Sequence, residues 1–426
     1  MVVPTKKEIM DFSPINVGEK EELPEYKRKA FNELKEISKT GLIIAITGLR
    51  RVGKSTLIKQ FLQYVGKNTF FFSFDEKRYA NPEALKKVIE TFISESDHPL
   101  IALDEVFRVE DWAGILKKYH DQKKARFIVS GSSSLFVKKG IESLGGRMME
   151  YYLPPLRFEE YLEMKGKKPE ILQIQEIFKM KKRYAEEVEE FLKKGSFPEI
   201  VNMDEETAIK YIRISTIERI VFDDIPYIFH IEHPSKLYDL LKLCATNSSF
   251  LFTEVNFGEA LQMSRNTVSD YLLYLQKAYL IDILYPKSSF QKALKKQKKI
   301  KQKKIFVKTG SIYNALSEAP TIGQAAETAV YDKLYDKFDQ KKLTFYRDPQ
   351  RREVDFIFLK LPIEVKYQST ITTKDIENLI YYLSKNKLNK GIVVTKDLFD
   401  EKKIEGKIID YIPLDVFLLA DMRYTD

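Results

Sequence analysis

Two glycines five residues apart, followed at once by a lysine and two hydroxyls, carry the clearest chemistry in the sequence: Gly48-Leu49-Arg50-Arg51-Val52-Gly53-Lys54-Ser55-Thr56, directly after the apolar run Leu42 to Ile46. Glycines let successive backbone N–H groups turn inward around phosphate oxygens, and a helix that starts there adds the positive end of its dipole. The spacing therefore predicts a phosphate-cradling loop in which Gly48, Arg51, Val52, Gly53, Lys54, Ser55 and Thr56 surround the polyphosphate of ATP. Lys54 reaches its β and γ phosphates and the Ser55 hydroxyl holds Mg²⁺. The bland alternative is a glycine-containing turn before a helix.

A second constellation follows fifty residues after Lys54, where the apolar strand Leu100-Ile101-Ala102-Leu103 ends in Asp104 and Glu105. A carboxylate at the strand tip suits a shared Mg²⁺, directly or through water, so Asp104 is expected opposite Ser55. Glu105 is expected to polarise the attacking water, which needs a base near the γ-phosphate rather than on the metal. A third polar strand end, Phe127-Ile128-Val129-Ser130-Gly131-Ser132, offers Ser130 and Ser132 as hydroxyls that sense the γ-phosphate. Arg147, after Gly145-Gly146, suits an arginine finger acting within the chain or on a neighbouring copy in a homo-oligomer, or an ordinary surface ion pair.

These groups need a scaffold. Strands at Leu42–Thr47, Thr69–Phe74, Leu100–Leu103 and Phe127–Ser130 alternate with helices at Lys54–Val65 and Pro82–Glu95, which predicts an α/β parallel sheet covered on both faces. At 426 residues the chain exceeds one core, and four parts are expected: residues 1–160 as the nucleotide-binding core, 161–234 as a helical lid or connector, 235–303 as a small helical domain with a lysine-rich linker, and 304–426 as a further mixed α/β domain. No apolar run approaches the roughly 18 residues of a membrane span, and residues 1–29 lack a secretory pattern, so a cytoplasmic protein with no membrane partner is expected. Cys244 is the sole cysteine, which excludes an internal disulfide and predicts a small buried apolar residue.

The net charge is +9, and ten lysines with no acidic residue fall between Lys287 and Lys308. Such a run is either a solvated loop or an electrostatic contact for nucleic-acid phosphates. Its neighbours favour the contact. Helical patterns at Leu237–Cys244, Phe257–Leu261 and Ser264–Ala278, then a β-rich Leu280–Tyr285, follow the order of a winged helix-turn-helix, with Asn266 to Tyr274 as recognition helix and the lysines near its wing.

The run from Leu103-Asp104-Glu105-Val106 to Asp111-Trp112, with Ser130-Gly131-Ser132-Ser133, Gly146-Arg147, Pro155-Leu156-Arg157-Phe158 and Phe197-Pro198-Glu199, resembles the prokaryotic AAA+-type P-loop ATPases related to the signalling ATPases. The resemblance extends from about Leu42 to Leu398. It implies a winged helix and a C-terminal restriction-endonuclease-like domain. In that light Asp355, then Glu364-Val365-Lys366, reads as the D…E-x-K core of the PD-(D/E)xK nucleases. Residues i and i+2 share a strand face, so Glu364 and Lys366 point the same way. The resemblance further implies Glu327 as the acidic residue of the preceding helix, with Glu327, Asp355 and Glu364 around one Mg²⁺ and Lys366 placing a water. The expected function is a Mg²⁺-dependent ATPase that binds duplex or branched DNA and couples nucleotide state to the other domains, with cleavage or, alternatively, with a catalytically silent domain that serves a protein-binding switch.

Overall fold

The computed structural model describes residues 2–132, 144–287, 302–335, 339 and 342–422. The chain divides into two compact units, Met1–Pro155 and Leu156–Asp426.

In the first unit five strands, β1 (Ile43–Thr47), β2 (Thr69–Ser73), β3 (Leu100–Asp104), β4 (Arg126–Gly131) and β5 (Met148–Tyr152), form one sheet in the order β2-β3-β4-β1-β5. Every pairing in it is parallel. Strands buried on both faces read as continuous apolar runs, and IIAIT, TFFFS and LIALD are such runs. The helices between them, α1 (Lys54–Val65), α2 (Pro82–Glu95) and α3 (Trp112–Asp121), supply the covering layers. Asn81 begins α2 by accepting the Ala84 amide, and Pro82 follows at the first position, where its missing N–H costs nothing. The core gathers Phe70, Phe72, Leu85, Phe92, Ile101, Leu116 and Val129. Because β4 lies between β1 and β3, the loop-bearing strand and the acidic strand are not neighbours, and the end of β4 falls between them.

The second unit opens with helical segments that include Ala185–Lys194 and a long run from Glu205 to Phe229. Then come α4 (Pro234–Thr246), strand β6 (Leu251–Phe252), α5 (Glu254–Leu261), α6 (Arg265–Lys277), β7 (Ile281–Leu284) and β8 (Lys303–Val307). The small sheet has the order β6-β8-β7, with both pairings antiparallel. Cys244 is buried in α4, as expected, and burial pushes its thiol well above the ordinary range.

Beyond helix α7 (Ile322–Leu334) lies a six-stranded mixed sheet: β9 (Leu343–Arg347), β10 (Glu353–Phe358), β11 (Leu361–Lys366), β12 (Lys390–Thr395), β13 (Asp400–Ile404) and β14 (Lys407–Pro413), in the order β9-β10-β11-β12-β14-β13. Helix α8 (Glu377–Lys385) contributes Leu379, Ile380 and Leu383 to a core shared with Ile357, Val393 and Ile409. Lysine positions between 288 and 301, Ser133 and Ser134, and the end of the helix that the sequence predicts from Gly323 to Phe338 lie outside the described residues. No helix among the described residues is long and apolar enough to cross a membrane.

Candidate functional site

The C-terminal ends of β1, β3 and β4 bring the first constellation together. Gly48 leaves β1 at φ 151, and a Cβ there would lie 2.3 Å from the Leu153 carbonyl oxygen, so no larger residue fits. Arg51 and Gly53 both take positive φ, 68 and 93, and Gly53 caps α1 without a side-chain oxygen for the first helical amides. Those donors are what an anion requires. The Lys54 ammonium is buried and donates to the carbonyls of Gly48 and Leu49, each at 3.0 Å.

The Ser55 hydroxyl donates to Asp104 Oδ2 at 2.8 Å, while Ser130 Oγ donates to Asp104 Oδ1. Ser73 Oγ reaches the same carboxylate at 3.5 Å. Asp104 is thus tied to the loop helix and to its two flanking strands. Glu105, at φ 50, turns away from it, and its Oε2 accepts from the Ser132 amide and hydroxyl, each at 3.4 Å. The two serines divide between the carboxylates: Ser130 holds Asp104 and Ser132 holds Glu105. Mg²⁺ keeps most of its ligands from water and phosphate and needs one or two from protein. Ser55 and Asp104, already within hydrogen-bond distance of each other, suit that demand, and the loop amides with Lys54 suit the polyphosphate of ATP.

Arg147 stands elsewhere. Its carbonyl accepts from the Ile43 amide at the start of β1, so it lies at the opposite end of the strands from the loop, about 15 Å away at ~3.3 Å per residue. Its guanidinium pairs with Asp121 at 2.5 Å on the surface. The position therefore cannot supply a finger to its own phosphate loop; the GGR spacing marks a turn into β5. Positive charge at the phosphate end comes instead from Arg50 and Arg108, 3.7 and 3.4 Å from Asp75. Sequence reasoning also passed over Arg28, a buried guanidinium that donates to the carbonyls of Val52 at 2.7 Å, Pro154 at 3.0 Å and Pro155 at 3.4 Å. It clips the loop from behind, and nothing in its local sequence announces this.

The C-terminal group of Asp355, Glu364 and Lys366 does converge. The register that sets Phe356 opposite Ile363 also sets Asp355 beside Glu364; the Asp355 amide donates to Glu364 Oε2 at 3.4 Å, and Lys366 Nζ to Glu364 Oε1 at 2.7 Å. Glu327 on α7 joins them electrostatically. Loss of hydration, then the Asp355 charge, push Glu327 and Glu364 up to about 8, against the pull of Lys304 and Lys366. Asp355 moves the other way: burial opposes its charge, but Lys304 and Lys366 outweigh that and hold it below its ordinary value. The arrangement does not fit the expected Mg²⁺, however. Lys304 Nζ sits 3.0 Å from Asp355 Oδ1, Asp355 Oδ2 accepts the Val365 amide at 3.0 Å, and Lys366 holds Glu364, so both carboxylates are already taken by donors of the chain.

Among the described residues of the lysine run, Lys304 and Lys308 are buried. Lys303 pairs with Glu254 at 2.5 Å, Lys304 with Glu353 at 2.7 Å, Lys308 with Asp282 at 2.7 Å, and Lys287 donates to the Tyr382 hydroxyl at 2.8 Å. The remaining six, Lys292, Lys295, Lys296, Lys298, Lys299 and Lys301, lie outside the described residues.

Residues 40–162 match a family model described as an AAA domain, and residues 185–322 and 322–417 match models each described as a domain of unknown function. An uncharacterized protein of Methanocaldococcus jannaschii is 27% identical over 407 residues, covering 88% of this chain and 84% of that protein. An uncharacterized protein of Haemophilus influenzae is 24% identical over 405 residues, covering 89% of this chain and 95% of the relative. Among solved structures, the Walker-type ATPase of Pyrococcus abyssi aligns with a TM-score of 0.47 at 14% identity, over 68% of this chain and 95% of that one. The segment that matches the AAA domain model, residues 40–162, contains the phosphate loop together with Asp104, Glu105, Ser130 and Ser132.

Proposed function

We propose that this chain is a Mg²⁺-dependent ATPase that binds DNA and uses nucleotide state to rearrange its second unit. The observation that carries the ATPase reading is the Ser55–Asp104–Ser130 linkage beside Glu105, inside a segment that matches an AAA domain. Bound Mg²⁺ supplies charge neutralisation for the β and γ phosphates. The chain's own residues do the rest: the loop amides and Lys54 orient the triphosphate, Ser130 holds Asp104 toward Ser55, and Glu105 orients a water and takes its proton. Arg50 and Arg108 offer further positive charge once a phosphate competes with Asp75 for them.

The DNA reading is supported by α4, α5 and α6 followed by the antiparallel β7 and β8, the element order of a winged helix. Ser264 caps α6, and exposed Arg265, Asn266 and Ser269 near its start are residue types that read base edges and phosphates. In this proposal the C-terminal domain binds without cutting, because Asp355 and Glu364 are committed to Lys304 and Lys366.

The test is ATP turnover by wild type and Lys54→Ala, with and without duplex and branched DNA, alongside DNA retention from 50 to 300 mM salt. Turnover that depends on Lys54 and retention that falls steeply with salt support the proposal, since phosphate contacts release counterions. Absent turnover in wild type overturns the enzyme reading. A flat or absent salt response replaces DNA with a protein partner and makes the molecule a nucleotide switch.

A further inference from the structure

The basic residue least expected inside the protein is Lys304. It lies on β8, opposite Leu251 on one side and Leu284 on the other, in a strand whose neighbours Ile305, Phe306 and Val307 are fully buried. Its side chain is only 2% exposed. Taking an ammonium out of water costs several kcal/mol and persists only with well-placed opposite charge. Here the charge is Glu353 Oε1 at 2.7 Å and Asp355 Oδ1 at 3.0 Å, with Glu327 close enough to act on it electrostatically. The other oxygen of Glu353 takes the Arg347 guanidinium at 2.7 Å. Asp355, the carboxylate at the centre of the expected divalent site, is thus already bonded to a cation built into the chain.

We propose that Lys304 stands in for a divalent cation at Asp355, so that this carboxylate cluster takes no metal in the folded protein, and that removing the ammonium opens a divalent-cation site there. The chemistry is one of replacement. A lone ammonium carries one charge and three donors, and it satisfies Asp355 and Glu353 by hydrogen bonds at 2.7–3.0 Å. A hard divalent ion demands shorter bonds to several oxygens at once, and the two cannot share the position. The cluster then serves cohesion rather than hydrolysis, since it fastens β8 to β10.

The inference is independent of ATP hydrolysis, and its experiment contains neither nucleotide nor DNA. Mn²⁺ binding to the full chain is measured by equilibrium dialysis for wild type, Asp355→Asn, Lys304→Met and the double variant Lys304→Met/Asp355→Asn. Wild type and Asp355→Asn are expected to take up the same amount. Lys304→Met gains one Mn²⁺ per chain, and the double variant loses that gain. Two results overturn the proposal: a wild-type Mn²⁺ site that disappears with Asp355→Asn, or a folded Lys304→Met chain with no added site. Should Lys304→Met not fold, the comparison of wild type with Asp355→Asn, which leaves Lys304 in place, decides it: equal uptake upholds the internal cation and unequal uptake removes it.

Discussion

Arg28 gives the sharpest quantitative test of how the phosphate loop is held. Replacing it with Met keeps most of the apolar stem and deletes the guanidinium that bonds Val52, Pro154 and Pro155. Two of those contacts, at 2.7 and 3.0 Å, have good geometry, and the third at 3.4 Å is weak. A hydrogen bond to a charged group contributes about 1.5–3 kcal/mol, and water entering the gap recovers part of it, so a net loss of about 3 kcal/mol is expected. For a domain of this size that is a fall of roughly 6–12 °C in the melting of the first unit. Because the Val52 carbonyl belongs to the loop itself, ATP affinity should drop as well, by about tenfold for each 1.4 kcal/mol of disorder transmitted to the loop. Differential scanning calorimetry and nucleotide titration read both. Lys27→Met, an exposed neighbour, is the control and should change neither. If Arg28→Met melts within a degree of wild type and binds ATP equally well, the guanidinium is not what holds the loop.

Further consequences follow from the same geometry. Ser130→Ala, which frees Asp104 Oδ1, should slow ATP turnover by about ten- to a hundredfold at nearly unchanged nucleotide affinity, as loss of one positioning contact does; Ser132→Ala should mimic a weakened Glu105 and affect turnover alone. Arg147→Ala should leave turnover within twofold, because its partner is the exposed Asp121; a loss of tenfold or more at raised protein concentration would reveal a finger acting between copies. Gly131→Ala places a Cβ 2.1 Å from the Phe107 ring and should cost about 1–3 kcal/mol by overpacking, visible as a lower melting temperature. Glu327 and Glu364 titrate near pH 8 when folded and near 4.5 when unfolded. The folded state therefore holds protons that the unfolded state releases. That contribution is complete below about pH 4.5 and disappears as pH rises through 8, at no more than about 1.4 kcal/mol per pH unit for each group. Melting of the second unit between pH 5 and 8 should fall with rising pH, and Glu327→Gln should flatten the trend; a melting temperature that climbs over that range contradicts the assignment.

What the sequence reveals and what it conceals divide along physical lines. Helices Lys54–Val65 and Pro82–Glu95 occupy the residues that the sequence indicates for them. The phosphate loop is legible because its chemistry is local: glycine, lysine and serine must be consecutive to surround one anion. Strand β5 escapes because an edge strand, MMEYY, is only partly buried and shows no apolar run. The hairpin of β13 and β14 escapes because DEKKI is almost wholly exposed and reads as a charged loop. Arg28 and Lys304 act through partners 24 and 51 residues away, and no local pattern encodes such a pairing. Lys304 is the instructive case: within a run of like charges it has the composition of a solvated segment, and only the fold supplies the carboxylates that draw it inside.

The central claim is that Lys54, Ser55, Asp104 and Glu105 form one hydrolytic site for Mg²⁺-ATP. Phosphate release and ATP binding, measured together on wild type, Lys54→Ala and Glu105→Gln, test it most directly. The expected pattern is turnover in wild type, loss of both binding and turnover in Lys54→Ala, and ATP held without hydrolysis in Glu105→Gln. A Glu105→Gln chain that hydrolyses ATP at the wild-type rate, or a Lys54→Ala chain that still binds it as tightly, would contradict that claim.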